Sequence, residues 1–101
     1  MDFRLIWTDS AITDLRGLVA YYVREEKSPD AALKVGNAII DRVEILKSFP
    51  DIGPSYPRIG GAHREIKCYE YRIFYKVDRD LKIVYIARVW HGARDLGALT
   101  L

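Results

Sequence analysis

The chain has 101 residues, of which half are hydrophobic and 30% are charged. This length and composition predict one folded domain, residues 1–101, with a modest core, and they argue against a disordered chain. No apolar run approaches the roughly 20 residues of a membrane-spanning helix, and the N-terminus resembles no secretory signal. The single cysteine, Cys68, cannot form an internal disulfide, so we expect a protein of the reducing cytoplasm.

The first half of the chain predicts a strand followed by two helices. Phe3–Trp7 is a short β-prone run, and Thr8 or Asp9 can cap a helix that extends to about Glu26. A second helix is predicted over residues 30–49, with Ser28 as its cap. The apolar positions recur at helical spacing in both helices, at Ala11, Leu15, Leu18, Val19 and Tyr22 and then at Val35, Ala38, Ile39, Val43, Leu46 and Phe49. Asp14 lies outside the first of these stripes.

The second half predicts a loop and three consecutive strands. The loop is residues 50–62, rich in proline and glycine, and the strands are residues 64–68, 71–78 and 81–90. Because short turns join these strands, they should form an antiparallel meander. The expected fold class is therefore α+β: an N-terminal strand that joins the sheet, an antiparallel helical hairpin over one sheet face, and a three-stranded antiparallel meander.

Basic residues are concentrated in this meander. Nine Lys/Arg and five Asp/Glu lie between Arg58 and Asp95, a local charge of +4 in a chain whose total is +2. In the second strand, alternation places Tyr71, Ile73, Tyr75 and Val77 on one face and Arg72, Phe74 and Lys76 on the other. We expect the second of these faces to be uncovered. It could attract nucleic acid or an acidic protein, or it could be a mixed-charge solvated surface.

The order of elements and several local patterns resemble the RelE/ParE superfamily, the toxins of bacterial type II toxin–antitoxin pairs. The resemblance covers nearly the whole chain, and its most specific part is the strand YRIFYKVD followed at the right distance by HGARD. Further matching positions are Ala11, Asp14, Leu15, Tyr21, Tyr22, Phe49, Pro50, Gly53, Arg64 and Glu65. The resemblance implies the fold described above and a cognate antitoxin whose tail covers the sheet surface.

The resemblance implies two alternative activities. RelE-like members are ribosome-dependent endonucleases that cut mRNA, whereas ParE-like members poison DNA gyrase without cutting nucleic acid. An RNA-cleaving site needs cations for the phosphate and side chains that transfer protons. By resemblance, Arg64, Lys67, Arg72 and Arg94 would supply the cations, and His91 would transfer protons. Glu65 could act as a base, but strand alternation separates it from Arg64.

The end of the chain departs from the nuclease pattern. The tyrosine that RelE-like enzymes carry soon after the last arginine is missing, and residues 95–101 contain no aromatic side chain and no base. The candidate residues also have structural interpretations. Arg72 could form a surface salt bridge, Arg94 could form an ion pair with Asp95, and His91 could hydrogen-bond across its turn.

The sequence therefore favours a ParE-like toxin that is not an enzyme, that inhibits DNA gyrase and that a cognate antitoxin neutralises. The alternatives are a RelE-like mRNA endonuclease acting on the ribosome, and an inactive toxin retained for its antitoxin. The predicted partner-binding residues are Arg64, Arg72, Phe74, Lys76 and Arg94. The chain offers no metal-ligand pattern and no cofactor motif, and it has no helix-turn-helix signature for reading DNA sequence.

Overall fold

A computed structural model describes residues 2–56 and 62–101 and shows the predicted α+β fold. Strand β1 spans Arg4–Trp7. Helices α1 and α2 follow at Asp9–Arg24 and Pro29–Glu44, and a 3-10 turn continues α2 over Ile45–Lys47. The meander consists of β2 (His63–Cys68), β3 (Tyr71–Asp78) and β4 (Ile83–His91), followed by a 3-10 turn at Leu96–Ala98. In this part of the chain, no helix is long and apolar enough to cross a membrane.

Both helices start where the sequence places a cap. The side-chain oxygen of Thr8 accepts a hydrogen bond from the Ala11 amide, and Ser28 does the same for Ala31, with Pro29 in the first turn. Each helix is shorter than expected. The second ends at Glu44 instead of 49, so Phe49 lies beyond it and is exposed, which corrects its assignment to the apolar stripe.

The four strands form one sheet in the order β1-β4-β3-β2. The strand β1 pairs in parallel with β4, and the remaining pairs are antiparallel. The β2–β3 turn has only two residues, with Tyr69 at a φ of 53°. The β3–β4 turn is longer than predicted because the Asp78 carboxylate accepts the Leu81 amide, which delays the start of β4 to Ile83. The central position of β4 matches its nearly continuous apolar sequence.

The helices cover one face of the sheet and enclose the main core with it. The largest fully buried side chains in this core are Tyr75, Ile39, Leu46, Ile73 and Ile86. We call the opposite side of the sheet the open face. It is less open than expected, because a second apolar cluster of Phe74, Trp90 and Leu99 lies there, with Tyr56 and Leu96 packed against it.

One outer edge of the sheet is covered by the chain itself. The segment before the undescribed residues 57–61 runs along the first half of β2, where Glu65 donates to the Pro54 carbonyl and Tyr56 donates to His63. Further along β2, the Arg42 side chain donates to the Lys67 carbonyl at 3.0 Å. Covering an edge in this way prevents unspecific pairing with other strands.

Candidate functional site

The sheet divides the predicted site residues between its two sides. Lys67 on β2 lies opposite Arg72 on β3, and Arg72 lies opposite Trp90 on β4, so these three side chains form one row across the open face. Adjacent strands are about 4.8 Å apart, which makes the row continuous. Arg94 extends the row, because its guanidinium carbon lies 3.9 Å from the centre of the Trp90 ring. We call Lys67, Arg72, Trp90 and Arg94 the basic row.

His91 and Arg64 point to the other side of the sheet. His91 is paired with Tyr71 and Arg64 with Tyr75, and both tyrosines belong to the core beneath the helices. The Arg64 guanidinium donates to the Gly53 carbonyl at 2.7 Å and lies 3.4 Å from the Asp51 carboxylate. The sheet therefore separates Arg64 and His91 from Lys67 and Arg72, whereas Arg94 lines the same groove as His91. The structure does not bring the five predicted catalytic candidates together.

Arg72 already forms an ion pair within its own chain. Its guanidinium makes two hydrogen bonds to the Glu65 carboxylate, and the Arg72 and Glu65 side chains are only 19% and 9% exposed. Hydrogen bonding to Glu65 raises the pKa of Arg72 above its ordinary value, against the opposing effect of burial. The guanidinium also lies 5.0 Å from the centre of the Tyr56 ring. Such a geometry matches the structural interpretation of Arg72 as a salt-bridged residue.

The remaining predicted contact residues have mixed outcomes. Phe74 is completely buried under Tyr56 and Leu99, so its prediction as a partner contact is wrong for this conformation. Lys76 is exposed on the open face, and Arg58 lies outside the described residues. Lys67 is also exposed and can therefore contact a partner.

His91 is held by the turn that follows it. Its Nδ1 accepts a hydrogen bond from the Ala93 amide at 3.1 Å, and its Nε2 lies 3.4 Å from a Glu70 carboxylate oxygen. The ring packs edge-on against Tyr71, with 5.3 Å between the ring centres. The predicted hydrogen bond across the turn is therefore present.

Arg94 does not form the ion pair that its neighbour Asp95 offers. The Asp95 carboxylate instead accepts the Gly97 amide and starts the last 3-10 turn. The Arg94 carbonyl accepts a hydrogen bond from the Trp90 indole at 3.3 Å, while its guanidinium covers the same ring. Arg94 therefore fixes the residues after β4 onto the open face.

Sequence reasoning missed a second ion pair, between Asp14 of α1 and Arg88 of β4. The guanidinium of Arg88 donates twice to the carboxylate, at 2.8 and 3.0 Å, and the Val89 amide donates to the same carboxylate at 3.0 Å. Asp14 was placed outside the apolar stripe, yet its side chain is only 11% exposed. Nothing in the local sequence reveals this contact, because its partners are separated by 74 residues.

No group of three or more His, Cys, Asp or Glu side chains in the described residues could hold a metal ion.

This arrangement of strands and helices is also found in known proteins. The family model of the ParE toxin of type II toxin–antitoxin systems matches residues 5–96, which is nearly the whole chain. The chain belongs to this ParE toxin family. No curated protein matches it.

Solved structures of toxins share the fold of this ParE family member. In the chromosomal ParDE system from P. aeruginosa, one chain is 24% identical with a TM-score of 0.74, over 88% of this chain and 95% of that one. A chain of the RelBE2 toxin–antitoxin complex from Mycobacterium tuberculosis is 22% identical with a TM-score of 0.70, over 90% and 99% of the two chains. The isolated E. coli RelE toxin is 20% identical with a TM-score of 0.61, over 92% and 87%. At these identities the likeness establishes the fold alone, so the activity has to be inferred from the residues of this chain.

Proposed function

We propose that this toxin arrests growth without cutting nucleic acid, by inhibiting DNA gyrase, and that a cognate antitoxin neutralises it. The observation that carries the proposal is the separation of His91 from Arg72 by the sheet. A cleavage site needs a proton-transferring group beside the cations that hold the phosphate. On the open face, Glu65 lies beside the basic row, but both of its carboxylate oxygens bind Arg72.

The segment after the basic row supports the same proposal. Among residues 95–101, the one ionisable side chain is Asp95, and it caps a 3-10 turn. Leu96 and Leu99 pack over Phe74 and Trp90, where an active site would need an accessible base or acid. Because gyrase acts on chromosomal DNA, this function requires the toxin to work in the bacterial cytoplasm.

The antitoxin is proposed on the family and on the neighbours. The known proteins with this fold include chains from a ParDE system and from a RelBE2 complex. The basic row and exposed Lys76 would suit an acidic antitoxin segment across the open face.

A ribosome-dependent mRNA endonuclease is the second candidate, and one observation favours it. Lys67, Arg72 and Arg94 lie side by side on one face, which is how cations would line a phosphate backbone. This function would require Arg72 to leave Glu65, and it would require proton transfer from a group that lies outside the basic row.

One induction experiment separates the two candidates. The toxin would be expressed alone in bacteria that carry a reporter plasmid, and the same cells would supply plasmid topoisomers and translated mRNA. The proposal predicts relaxed plasmid and no new mRNA 5′ ends by primer extension. New 5′ ends with unchanged supercoiling would instead establish the nuclease. Induction without growth arrest would overturn both and indicate an inactive toxin retained for its antitoxin.

A further inference from the structure

We propose that the groove between α1 and the ends of β3 and β4 binds an arginine or lysine side chain of the antitoxin. The inference rests on the proposed pairing with an antitoxin, but not on gyrase as the target. The groove has a volume of about 520 Å³ and lies on the helix side of the sheet, and Arg94 is the member of the basic row that lines it. It is large enough for a side chain together with part of its backbone.

Three tyrosine rings form the apolar part of the groove. Tyr21 and Tyr22 of α1 pack edge-on with 5.6 Å between ring centres, and Tyr71 of β3 contributes the facing wall. Tyr21 is 47% exposed, so its ring is accessible to a ligand in the groove. Aromatic faces attract guanidinium and ammonium groups because the centre of the ring is electron-rich.

Two exposed carboxylates, those of Glu26 and Glu70, line the groove. Glu26 accepts the Tyr21 hydroxyl at 3.1 Å, and Glu70 lies beside His91 with its side chain 68% exposed. The third acid of the groove, Asp14, is neutralised by Arg88. Rings and carboxylates together complement a cation that carries an apolar stem, which describes arginine and lysine side chains.

Gly17 lines the groove and leaves space in it. It lies one helical turn before Tyr21, and a Cβ built on it would meet no heavy atom within 4 Å. A side chain at this position would project into the groove instead of into the core. The glycine also lowers helix stability by about 1 kcal/mol relative to alanine, so its presence has a structural cost that an open groove would explain.

The groove is connected to the open face at one point. Arg94 lines the groove and reaches Trp90 on the open face, while the amide of Gly92 donates to the Glu70 carbonyl at 2.7 Å. A single antitoxin segment could therefore place acidic side chains on the basic row and a basic side chain in the groove. Opposite charges on the two surfaces would fix the direction in which the segment binds.

The test measures the affinity of the purified toxin for its cognate antitoxin by titration calorimetry. Gly17→Gln fills the groove without straining the helix, and Asn37→Gln on the exposed side of α2 is the matched control. We expect Gly17→Gln to weaken binding at least tenfold and Asn37→Gln to leave the dissociation constant unchanged. Unchanged affinity of Gly17→Gln would overturn the proposal, and a melting temperature at or above that of the wild type excludes misfolding as the cause.

A charge series tests the chemical class of the ligand. Replacing both groove carboxylates, by Glu26→Gln and Glu70→Gln, should weaken binding several-fold at low salt and reduce its salt dependence. The control Glu25→Gln removes a neighbouring exposed charge that does not line the groove and should have no effect. Equal losses from the control and the groove variants would refute a specific cation site. Because these titrations contain no gyrase, their result is independent of whether gyrase is the toxin's target.

Discussion

Glu65 and Arg72 form an ion pair on the open face, in which each oxygen of the Glu65 carboxylate accepts a hydrogen bond from Arg72. Each residue was a candidate for chemistry, as the base and the phosphate-binding cation. Because they pair across β2 and β3, each side chain has an oppositely charged partner within the chain. The same pair anchors Tyr56, whose ring lies against Arg72 and against Phe74, 5.3 Å between ring centres.

Removing Arg72 should therefore affect folding as well as function. Arg72→Ala leaves the Glu65 carboxylate buried without its partner, and we expect a loss of about 3 kcal/mol in the free energy of unfolding. The double variant Arg72→Met, Glu65→Leu removes both charges and should stay within about 1 kcal/mol of the wild type. Urea denaturation checks both values. A loss under about 0.5 kcal/mol for Arg72→Ala would show that the pair is not structural.

The surface role of the basic row is better tested at Lys67, which is exposed. Lys67→Ala should preserve the unfolding free energy within about 0.5 kcal/mol, as is usual for surface substitutions. If an acidic antitoxin segment crosses the basic row, the same change should slow association and weaken its salt dependence. Stopped-flow measurement at two ionic strengths provides the comparison. If the variant associates at low salt as fast as the wild type, Lys67 does not contribute to the interface with the antitoxin.

The ion pair between Asp14 and Arg88 should be the main polar link between α1 and the sheet. Asp14→Ala removes the carboxylate from a buried guanidinium and from the Val89 amide, so it should cost about 3 kcal/mol. Asp41→Ala, at an exposed position of α2, is the control and should change stability by no more than about 0.5 kcal/mol. Similar losses in the two variants would contradict this role of Asp14.

Gly17 of α1 and Gly53 of the loop before β2 predict opposite effects of the same substitution. A Cβ at Gly53 would collide with the Glu65 carbonyl and lie 2.8 Å from the Tyr75 hydroxyl, which itself accepts the Gly53 amide. Gly53→Ala should therefore destabilise by about 1–3 kcal/mol, whereas Gly17→Ala should stabilise by up to about 1 kcal/mol. Thermal unfolding of both variants decides this. A stabilising Gly53→Ala would mean that the loop is not held against β2 as described.

Alkaline pH should destabilise the fold through Tyr71. Burial is the largest cause that raises its pKa above the ordinary 10.0, followed by its hydrogen bond with Tyr22. Since the folded pKa is the higher one, this stability is complete below pH 10 and falls as the pH rises towards the folded pKa. Tyr71→Phe should lose less stability than the wild type between pH 9 and about 11 in denaturant titrations. Parallel pH profiles of the two proteins would exclude Tyr71 as the cause.

The sequence predicted the elements well because each is set by local rules. Thr8, Ser28 and Pro29 mark the helix starts, and period-two alternation marks β3 with its correct ends. The antiparallel meander and its sheet partner β1 were also predicted correctly.

The site was harder to predict because its contacts join distant residues. Alternation within β3 correctly separates Arg72 from Tyr71, but it cannot show that Glu65 of another strand binds Arg72. It also cannot show that residues after β4 fold back and bury Phe74. From the sequence, the residues of the meander were therefore expected to be more accessible to a partner than they are in the folded protein.

The most direct test of the account is DNA supercoiling by purified gyrase in the presence of the purified toxin. The account predicts inhibition that rises with toxin concentration, is reversed by the cognate antitoxin, and leaves a translated mRNA uncut in a parallel reaction. Full supercoiling activity at a large excess of folded toxin would contradict it.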